Sequence, residues 1–339
     1  MRSLVMRGPN DVRIGSIPEP SRAPGEALLR VRRVGLCGSD LNSYRGRNPL
    51  VSFPRIPGHE IAATIVEVEE NDRGLAVGMD VTLSPYTSCG LCSACQNGRS
   101  NACRWNQTLG VQRDGALTEY ISLPIEKLYP AHLSLEELCL VEPLTVGCHA
   151  VARAQVTASD TVAIFGCGGV GLGAVAASAF RGARTIAMDI DDEKLEIARQ
   201  AGATQVIHTG KQNVAETLNE ITGGHGPDVV IEAIGLPSTF RAAIDLVSFT
   251  GRVVYIGYAK EPVAYETRLF VQKELTILGA RNAQSEDFRQ VIAMLEQHEF
   301  PVGAVISTIA PLEHAPDLLR EWNETPERFT KIMITLDQA

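Results

Sequence analysis

A glycine-rich loop between a predicted strand and a predicted helix is the feature that most restricts how this chain can fold. Residues 161–165 form a short β-type run, an alanine-rich helical stretch follows, and the loop between them is Gly166, Cys167, Gly168, Gly169, Val170 and Gly171. There Gly166 allows a tight turn, Gly168 lets a pyrophosphate approach the backbone, and Gly171 lets the helix pack on the sheet. The loop predicts a dinucleotide site in a parallel α/β sheet, although an unoccupied sheet with a glycine-rich turn stays open as an alternative.

An acidic residue at the end of the next predicted strand indicates which dinucleotide binds. Asp189 lies eighteen residues beyond Gly171. A carboxylate at this place can accept hydrogen bonds from both ribose hydroxyls of NAD, and it would repel the 2′-phosphate of NADP. No arginine follows immediately to offset that repulsion, so we expect NAD as the cofactor.

The rest of the chain divides into two parts with different patterns of predicted secondary structure. Before Ser134, short strand-like runs alternate with turns, which predicts a compact β-barrel-like domain; the runs are residues 3–6, 27–34, 60–69, 80–83 and 117–123. After a helix start at Ser134, strands alternate with helices such as residues 192–201 and 238–247, and the further strands are residues 185–189, 205–207, 228–232 and 252–256. That alternation predicts an α/β, doubly wound parallel sheet.

We therefore expect two domains. At 339 residues the chain is longer than one hydrophobic core usually organises. The predicted boundaries are a catalytic domain over residues 1–140 and a dinucleotide-binding domain over 141–289. The closing run at residues 331–336 is again β-like, so the segment from about 290 to 339 is expected to return to the first domain.

Four cysteines within fifteen residues form the densest group of potential metal ligands: Cys89, Cys92, Cys95 and Cys103. Short Cys-x-x-Cys spacings let neighbouring sulfurs turn onto one zinc ion at about 2.3 Å. Two disulfides or packed core thiols are the alternatives, and the absence of any sign of an oxidising compartment favours zinc. A set of four thiolates leaves no coordination position open, so this zinc is expected to be structural.

Composition excludes several classes of function. The net charge of −9 disfavours a phosphate-backbone partner, so we expect a small-molecule ligand and no nucleic acid. The N-terminal residues lack the apolar run of a signal peptide, which predicts a cytoplasmic protein. Residues 161–180 carry no charge, but five glycines between 166 and 173 argue against a membrane helix, and no membrane association is expected.

A second group of donors is scattered: Cys37, the adjacent pair His59 and Glu60 after Pro57-Gly58, and Glu142. Singly, each could be a core thiol, a structural histidine or an ordinary carboxylate. Jointly, mixed sulfur, nitrogen and oxygen donors beside a dinucleotide site favour a metal. Neighbouring side chains on a regular strand point to opposite faces, so both members of the pair reach one ion only if Pro57-Gly58 bends the backbone. Cys37, His59 and one carboxylate would leave the fourth position for substrate.

On these residues the chain resembles the zinc-dependent medium-chain alcohol and polyol dehydrogenases over essentially its whole length. The matching motifs, in the family's order, are Cys37-Gly38-Ser39-Asp40, Gly58-His59-Glu60, the four-cysteine cluster, Glu142-Pro143-Leu144 and the glycine loop. The resemblance implies a GroES-like catalytic domain, a Rossmann domain, two zinc ions and a homotetramer or homodimer. It further implies that Ser39 takes the alcohol proton and passes it towards a histidine three residues later. That position is Asn42, and because an amide cannot accept the proton near neutral pH, we expect the proton to leave through water.

The substrate is less constrained. Glu142 in place of a cysteine resembles the sorbitol, threonine and sugar-acid branch, and the stretch from Gly279 to Ala283 resembles dehydrogenases of L-galactonate or L-gulonate. Arg281 could pair with a sugar-acid carboxylate, with Tyr44 and Asn282 binding hydroxyls, or it could form a surface salt bridge. A neutral polyol or threonine substrate is one alternative. A zinc- and NAD-binding regulator without catalysis is another.

Overall fold

The computed structural model describes residues 1–337, and the chain forms two compact units. The first unit comprises Met1–Glu142 together with the chain from Val302 onward, and the second is Pro143–Pro301. Within the described residues, no helix combines the length and the apolar character that crossing a bilayer requires.

The N-terminal part of the first unit is mostly strand. Its strands are β1 (Arg2–Gly8), β2 (Asp11–Ser16), β3 (Glu26–Leu36), β4 (Glu60–Glu67), β5 (Asp80–Leu83), β6 (Tyr86–Thr87), β7 (Gln107–Thr108), β8 (Tyr120–Pro124) and β9 (Leu128–Pro130). Its helices are α1 (Gly38–Tyr44), α2 (Ser93–Gln96) and the start of α3 (Leu135–Arg153). Short 3-10 turns lie at Ser100–Ala102 and Ile125–Lys127.

The second unit alternates strands and helices. Its strands are β10 (Thr161–Phe165), β11 (Arg184–Asp189), β12 (Gln205–His208), β13 (Val229–Glu232), β14 (Arg252–Tyr255) and β15 (Thr276–Gly279). Its helices after α3 are α4 (Gly169–Phe180), α5 (Asp192–Gln200), α6 (Val214–Ile221), α7 (Pro237–Leu246), α8 (Arg268–Gln272) and α9 (Ser285–Leu295). All pairings are parallel, in the order β12-β11-β10-β13-β14-β15, which is the strand order of dinucleotide-binding sheets.

Burial explains why these segments are parallel strands. The side chains of β13 are all buried, and β10 is buried except at Thr161, because helices cover both faces of such a sheet. The core beneath includes Ala163, Ile186 and Val230. Helix α4 approaches α3 closely, since a side chain at Gly147 would overlap the backbone of Ala174.

The closing segment of the chain completes the first unit. It contains α10 (Val302–Val305), β16 (Thr308–Pro311), α11 (Ala315–Glu324) and β17 (Ile332–Thr335), with 3-10 turns at Leu312–His314 and Pro326–Arg328. Strand β17 pairs antiparallel with β3, so the mixed sheet runs β16-β17-β3-β4-β5-β9, with β8 also paired to β3. The predicted α/β class, with a mixed sheet and a doubly wound parallel sheet, is confirmed.

Candidate functional site

The scattered donors come together at the junction of β3, α1 and β4. Cys37 follows β3 and is the N-cap residue of α1. Glu60 is the first residue of β4 and pairs with Gly35 of β3. The ligand atoms of Cys37, His59 and Glu60 all lie within 4.8 Å of one another. His59 precedes the regular strand, and Gly58 before it adopts a φ of 103°, a left-handed conformation that glycine readily takes. The backbone therefore turns at the place where two adjacent donors need it to turn.

Glu142 stands apart from this group. Among residues 1–337, the set of mutually close donors at this place contains Cys37, His59 and Glu60 but not Glu142. Glu142 is buried on α3, and the phenol of buried Tyr86 donates a hydrogen bond to its Oε1. Burial raises the pKa of the Glu142 carboxyl, and burial together with the neighbouring Glu142 carboxylate raises the pKa of Tyr86 well above its usual value.

Glu60 has a partner of opposite charge. Lys331 Nζ lies 2.7 Å from both carboxylate oxygens of Glu60, and the side chains of both residues are almost completely buried. A side chain at Gly35 would overlap Glu60 Oε2, so glycine at this position gives the carboxylate its space. The ammonium group therefore neutralises one of the two candidate carboxylate ligands.

Several polar atoms at this site have no protein partner within the described part of the chain. They are His59 Nδ1, Asp40 Oδ1 and Ser39 Oγ, all buried. The Asp40 and His59 atoms are 3.9 Å apart, too far for a hydrogen bond, and Asp40 Oδ2 accepts from the Cys37 backbone N–H at 2.9 Å. Buried polar atoms without partners are rare in native proteins and indicate an ion, a water or a ligand.

The electrostatics at His59 also favour a bound cation at this site. Burial acts to lower the pKa of His59, but the Asp40 carboxylate and Cys37 outweigh it, and the pKa is raised well above its usual value. An environment that favours a positive charge on a buried imidazole also favours a cation beside it. The donors present, one thiol, one imidazole and carboxylates, fit zinc. The Cys37, His59, Glu60 and Glu142 set is called the mixed site below.

The four-cysteine cluster has the geometry of a closed zinc site. Cys92 Sγ lies 3.6 Å from Cys95 Sγ and 3.8 Å from Cys103 Sγ, and the Cys103 and Cys89 sulfurs are 3.6 Å apart. Four sulfurs at about 2.3 Å from a tetrahedral ion would be about 3.8 Å apart, whereas bonded sulfurs lie at about 2.05 Å. All eight cysteines are free thiols, so neither disulfide is present.

Backbone amides support thiolates in this cluster. Cys103 Sγ accepts from the N–H groups of Cys89 at 3.3 Å and Trp105 at 3.2 Å. Amide donors from Cys95 and Arg104 lower the pKa of Cys92 to about 6. The two-residue strands β6 and β7 pair at the base of the lobe that carries the cluster. The donor set is compatible with a second zinc ion.

The glycine loop has the local geometry that its sequence predicts. Gly166 has a φ of 95°, and a side chain at Gly171 would overlap the carbonyl oxygen of Gly166. A Cβ atom at Gly168, the N-cap of α4, would have no protein atom within 4 Å, so space remains there for a ligand. Gly169 and Val170 begin α4, whose N-terminal amides face this space. Asp189 Oδ2 accepts from Cys167 N–H at 2.7 Å, which places the acidic residue beside the loop.

The residues predicted to bind substrate have different surroundings. Arg281 and Asn282 follow β15 and line a groove of the second unit with Val170, Gly257 and Tyr258. Tyr44 belongs to the first unit, where it is 4% exposed and packs in the hydrophobic core. Its buried ring gives no support to a role in binding substrate hydroxyls.

Two residues that contact the mixed site, Tyr86 and Lys331, were missed by sequence reasoning. Tyr86 carries no motif. Lys331 does carry a usable signal, because it is a charged residue at the start of the otherwise apolar run Ile332–Thr335. A lysine in that position predicts a buried partner, although not which one.

Comparisons with known protein families cover both units. Residues 23–133 match the family model of the alcohol dehydrogenase GroES-like domain, and residues 169–297 match that of the zinc-binding dehydrogenases.

Full-length relatives agree with these matches. The chain is 30% identical to the L-galactonate-5-dehydrogenase of Escherichia coli, over 91% of this chain and 94% of the relative. It is 36% identical to a sorbitol dehydrogenase of Bacillus subtilis, over 82% and 81%. A crystal structure of an alcohol dehydrogenase from E. coli CFT073 in complex with NADH superposes with a TM-score of 0.91, at 29% identity and 99% coverage of both chains.

Proposed function

The chain belongs to the zinc-dependent medium-chain alcohol and polyol dehydrogenases, and we propose that it transfers a hydride between a secondary alcohol of a sugar acid and NAD. Membership of a family of dehydrogenases makes it an oxidoreductase rather than the non-catalytic regulator considered as an alternative. The observation that carries the mechanism is the convergence of Cys37, His59 and Glu60 within 4.8 Å.

We propose that Cys37, His59 and one carboxylate hold the catalytic zinc, and that the four-cysteine cluster holds a structural one. Zinc bound at the mixed site would supply Lewis acidity, which lowers the pKa of an alcohol and so favours hydride departure. Ser39 Oγ, buried without a protein partner among residues 1–337, is suited to take the alcohol proton. Asp40 fixes the start of α1 through its hydrogen bond to Cys37 N–H.

We propose that the cofactor lies at the glycine loop of the second unit. Gly168 leaves room for the pyrophosphate, and the Asp189 carboxylate is suited to the ribose hydroxyls of NAD. Asp189→Asn should lower kcat/KM with NAD about 10–100-fold, because charge-assisted hydrogen bonds are lost. Glu193→Gln, an exposed change on α5, is the matched control. Equal NAD kinetics in both variants would contradict this role of Asp189.

The substrate class is the finer part of the proposal. It is supported by the similarity to the L-galactonate-5-dehydrogenase and by Arg281, whose guanidinium could pair bidentately with a carboxylate. The decisive experiment follows NADH formation by absorbance across aldonates, polyols and threonine. The sugar-acid proposal predicts the highest kcat/KM on an aldonate. Faster turnover of sorbitol would instead favour a neutral polyol substrate. The 36% identity to a sorbitol dehydrogenase supports this alternative.

The role of Arg281 has its own test. Arg281→Ala should raise KM for acids and leave neutral polyols nearly unaffected, because only the acid loses a charged partner. Arg268→Ala is the control, since Arg268 is an exposed arginine of the same unit whose partner is Glu266. Equal losses on both substrate types would remove Arg281 from carboxylate recognition.

We also propose a homodimer or homotetramer, as the family resemblance implies. Light scattering of the purified protein would test this, and a monomeric mass at micromolar concentration would contradict it.

A further inference from the structure

Glu232 is a buried acidic residue of the second unit to which neither the motifs nor the family matches assign a role. It is the last residue of β13, and its side chain is completely buried. One carboxylate oxygen, Oε2, has no hydrogen-bond partner among residues 1–337. Burying a carboxylate costs free energy unless it accepts hydrogen bonds, so the contacts of the other oxygen must account for an acid at this position.

The other oxygen accepts hydrogen bonds from the segment that follows β13. Glu232 Oε1 accepts from the backbone N–H groups of Ile234 at 3.0 Å and Gly235 at 2.8 Å, and from the Thr239 hydroxyl at 2.7 Å. Three donors to one oxygen favour the ionised form of the carboxyl, and so does the nearby N-terminus of α7. Residues 233–236, which connect β13 to α7, are called the crossover turn below. The carboxylate fixes the backbone of this turn.

The crossover turn packs against the glycine loop. Ala233 N–H donates to the Phe165 carbonyl at 3.0 Å, and a Cβ atom at Gly166 would lie 2.8 Å from Ile234 Cγ1. Ala233 of the turn and Val170 of the loop line the same groove. The position of the turn therefore helps to set the shape of this groove.

Packing on the other side of the carboxylate is equally close. A Cβ atom at Gly257, which follows β14 and lines the groove, would lie 2.5 Å from both Glu232 Oε2 and the Gly235 nitrogen. Gly235 has a φ of 89°, and a Cβ atom there would lie 2.9 Å from the Tyr258 carbonyl oxygen. Glu232 thus lies where the segments after β13 and β14 meet. Because it is completely buried, it contacts a ligand in the groove only through these segments.

The order of the strands indicates which half of a dinucleotide this groove would receive. Asp189 ends β11 on one side of β10, and β13 pairs with β10 on the other side. A dinucleotide crosses the carboxyl edge of such a sheet between these two sides. With the adenosine ribose at Asp189, the nicotinamide half would lie on the side of β13 and β14.

We propose that Glu232 is a positioning residue that holds the crossover turn in place, so that the groove for the nicotinamide half of NAD is formed before the cofactor binds. A groove that is already formed lowers the free-energy cost of ordering the protein on binding. This inference rests on the proposed NAD site, and it adds a residue that determines the affinity of that site.

Amide hydrogen exchange of the cofactor-free protein tests whether Glu232 holds the turn. Glu232→Met keeps an unbranched side chain of similar length but removes the acceptor. The Ile234 and Gly235 amides should then exchange at least about tenfold faster than in the wild type. Glu232→Gln keeps one acceptor oxygen and should restore most of the protection.

Cofactor binding tests whether the held turn matters for NAD. Glu232→Met should raise the Kd of NADH about 10–100-fold in a fluorescence titration, because the groove is formed in only a fraction of the molecules. Glu232→Gln should stay within about fivefold of the wild type. At saturating NAD, kcat should change less than about threefold, so the loss should appear in the KM for NAD. A purely structural role would instead lower the melting temperature and leave the KM of the folded protein unchanged.

Thr239→Val provides a milder variant in case Glu232→Met does not fold. It removes one of the three donors and should raise the Kd of NADH about 2–5-fold. Thr267→Val, at an exposed threonine of the same unit, is the matched control.

Wild-type exchange and wild-type Kd in Glu232→Met, or in Thr239→Val if the first variant does not fold, would overturn the inference. Equal losses in Glu232→Met and Glu232→Gln would also overturn it, because the acceptor oxygen would then have no effect. A wild-type chain that binds no NADH would instead overturn the proposed function itself.

Discussion

The four-cysteine cluster and the mixed site are both built from metal ligands in the same unit, but their surroundings are opposite. The cluster spans fifteen residues, its sulfurs accept backbone N–H groups, and three of its four thiols are partly exposed. In the mixed site Cys37 is partly exposed, whereas His59, Glu60 and Glu142 are buried. The site combines three donor types, and polar atoms at or next to it have no protein partner among residues 1–337. The first environment is complete without a substrate, and the second is not.

This difference separates holding a metal from using it. A site whose ligands and hydrogen bonds are all satisfied gains nothing from a further ligand, and its metal contributes to folding. A site with an open position and unsatisfied polar atoms offers interactions that only a substrate or water completes. The comparison predicts that damage to the mixed site affects turnover and that damage to the cluster affects stability.

The largest expected effect is that of Cys37→Ala. Loss of one ligand should remove the catalytic zinc, lower zinc content from two ions per chain to one, and reduce kcat/KM at least about a thousandfold, or ~4 kcal/mol. The melting temperature should change little. Cys148→Ala, which removes a buried thiol of the second unit, is the control. Two zinc ions and normal turnover in Cys37→Ala would break the comparison.

The opposite result is expected for Cys103→Ser. Cys103 is the buried thiol of the cluster, so its loss should release the structural zinc and lower the melting temperature by about 6–12 °C, equivalent to ~3 kcal/mol. At low temperature kcat should stay within about threefold of wild type, because the hydride step does not use this lobe. Calorimetry beside steady-state assays measures both, with the exposed change Ser100→Ala as control. A large loss of kcat in a chain that remains folded would contradict the division of roles.

Within the mixed site, Ser39 tests whether an unsatisfied atom is used. Ser39→Ala removes a buried hydroxyl that has no partner in the described chain, so stability should not fall, while kcat should fall about a hundredfold, or ~2.7 kcal/mol, if the hydroxyl carries the proton. Asn42→His should restore a titrating group and change the pH profile of kcat. Full activity of Ser39→Ala together with an unchanged profile in Asn42→His would exclude a proton relay through these residues.

The two sites also differ in how far the sequence alone describes them. The cluster and the glycine loop are local, so spacing and flanking elements were sufficient to place their residues together. The mixed site needed pairing of β3 with β4 to confirm that Cys37, His59 and Glu60 meet. Its supporting contacts could not be predicted, because Lys331 and Glu60 are 271 residues apart, and Tyr86 and Glu142 are 56 apart.

The missed contacts have one physical cause. They depend on the register of β17 against β3 and on the position that α3 gives to Glu142. The sequence pattern of neither segment indicates which residue Lys331 or Glu142 contacts. The expected role of Tyr44 is unsupported for a related reason, since its polar hydroxyl suggested a ligand while its ring is packed in the core. Local patterns therefore predicted the elements and the ligand types, and tertiary packing decided which side chains tune them.

The smallest expected effect tests whether the mixed site depends on the closing segment. Asp337 follows β17 and pairs with Arg32 and Arg33 of β3 at 2.5 Å. Partial burial acts to raise the pKa of Asp337, but hydrogen bonds from the two arginines outweigh it and lower the pKa. A depressed pKa contributes stability above the unfolded value of about 3.9, and this contribution disappears as the pH falls through the folded pKa.

Asp337→Asn should therefore cost at most about 1 kcal/mol of unfolding free energy above about pH 5, and the difference from wild type should shrink below about pH 4. Denaturant titrations across this pH range measure the difference in unfolding free energy. The control is Asp317→Asn, which removes the carboxylate of an exposed ion pair on α11. If β17 holds Lys331 in place, the variant with Co²⁺ in place of zinc should also show a slightly altered visible spectrum at the mixed site and no change at the cluster. A stability difference that grew on acidification would show that Asp337 is not stabilised as a carboxylate in the folded chain.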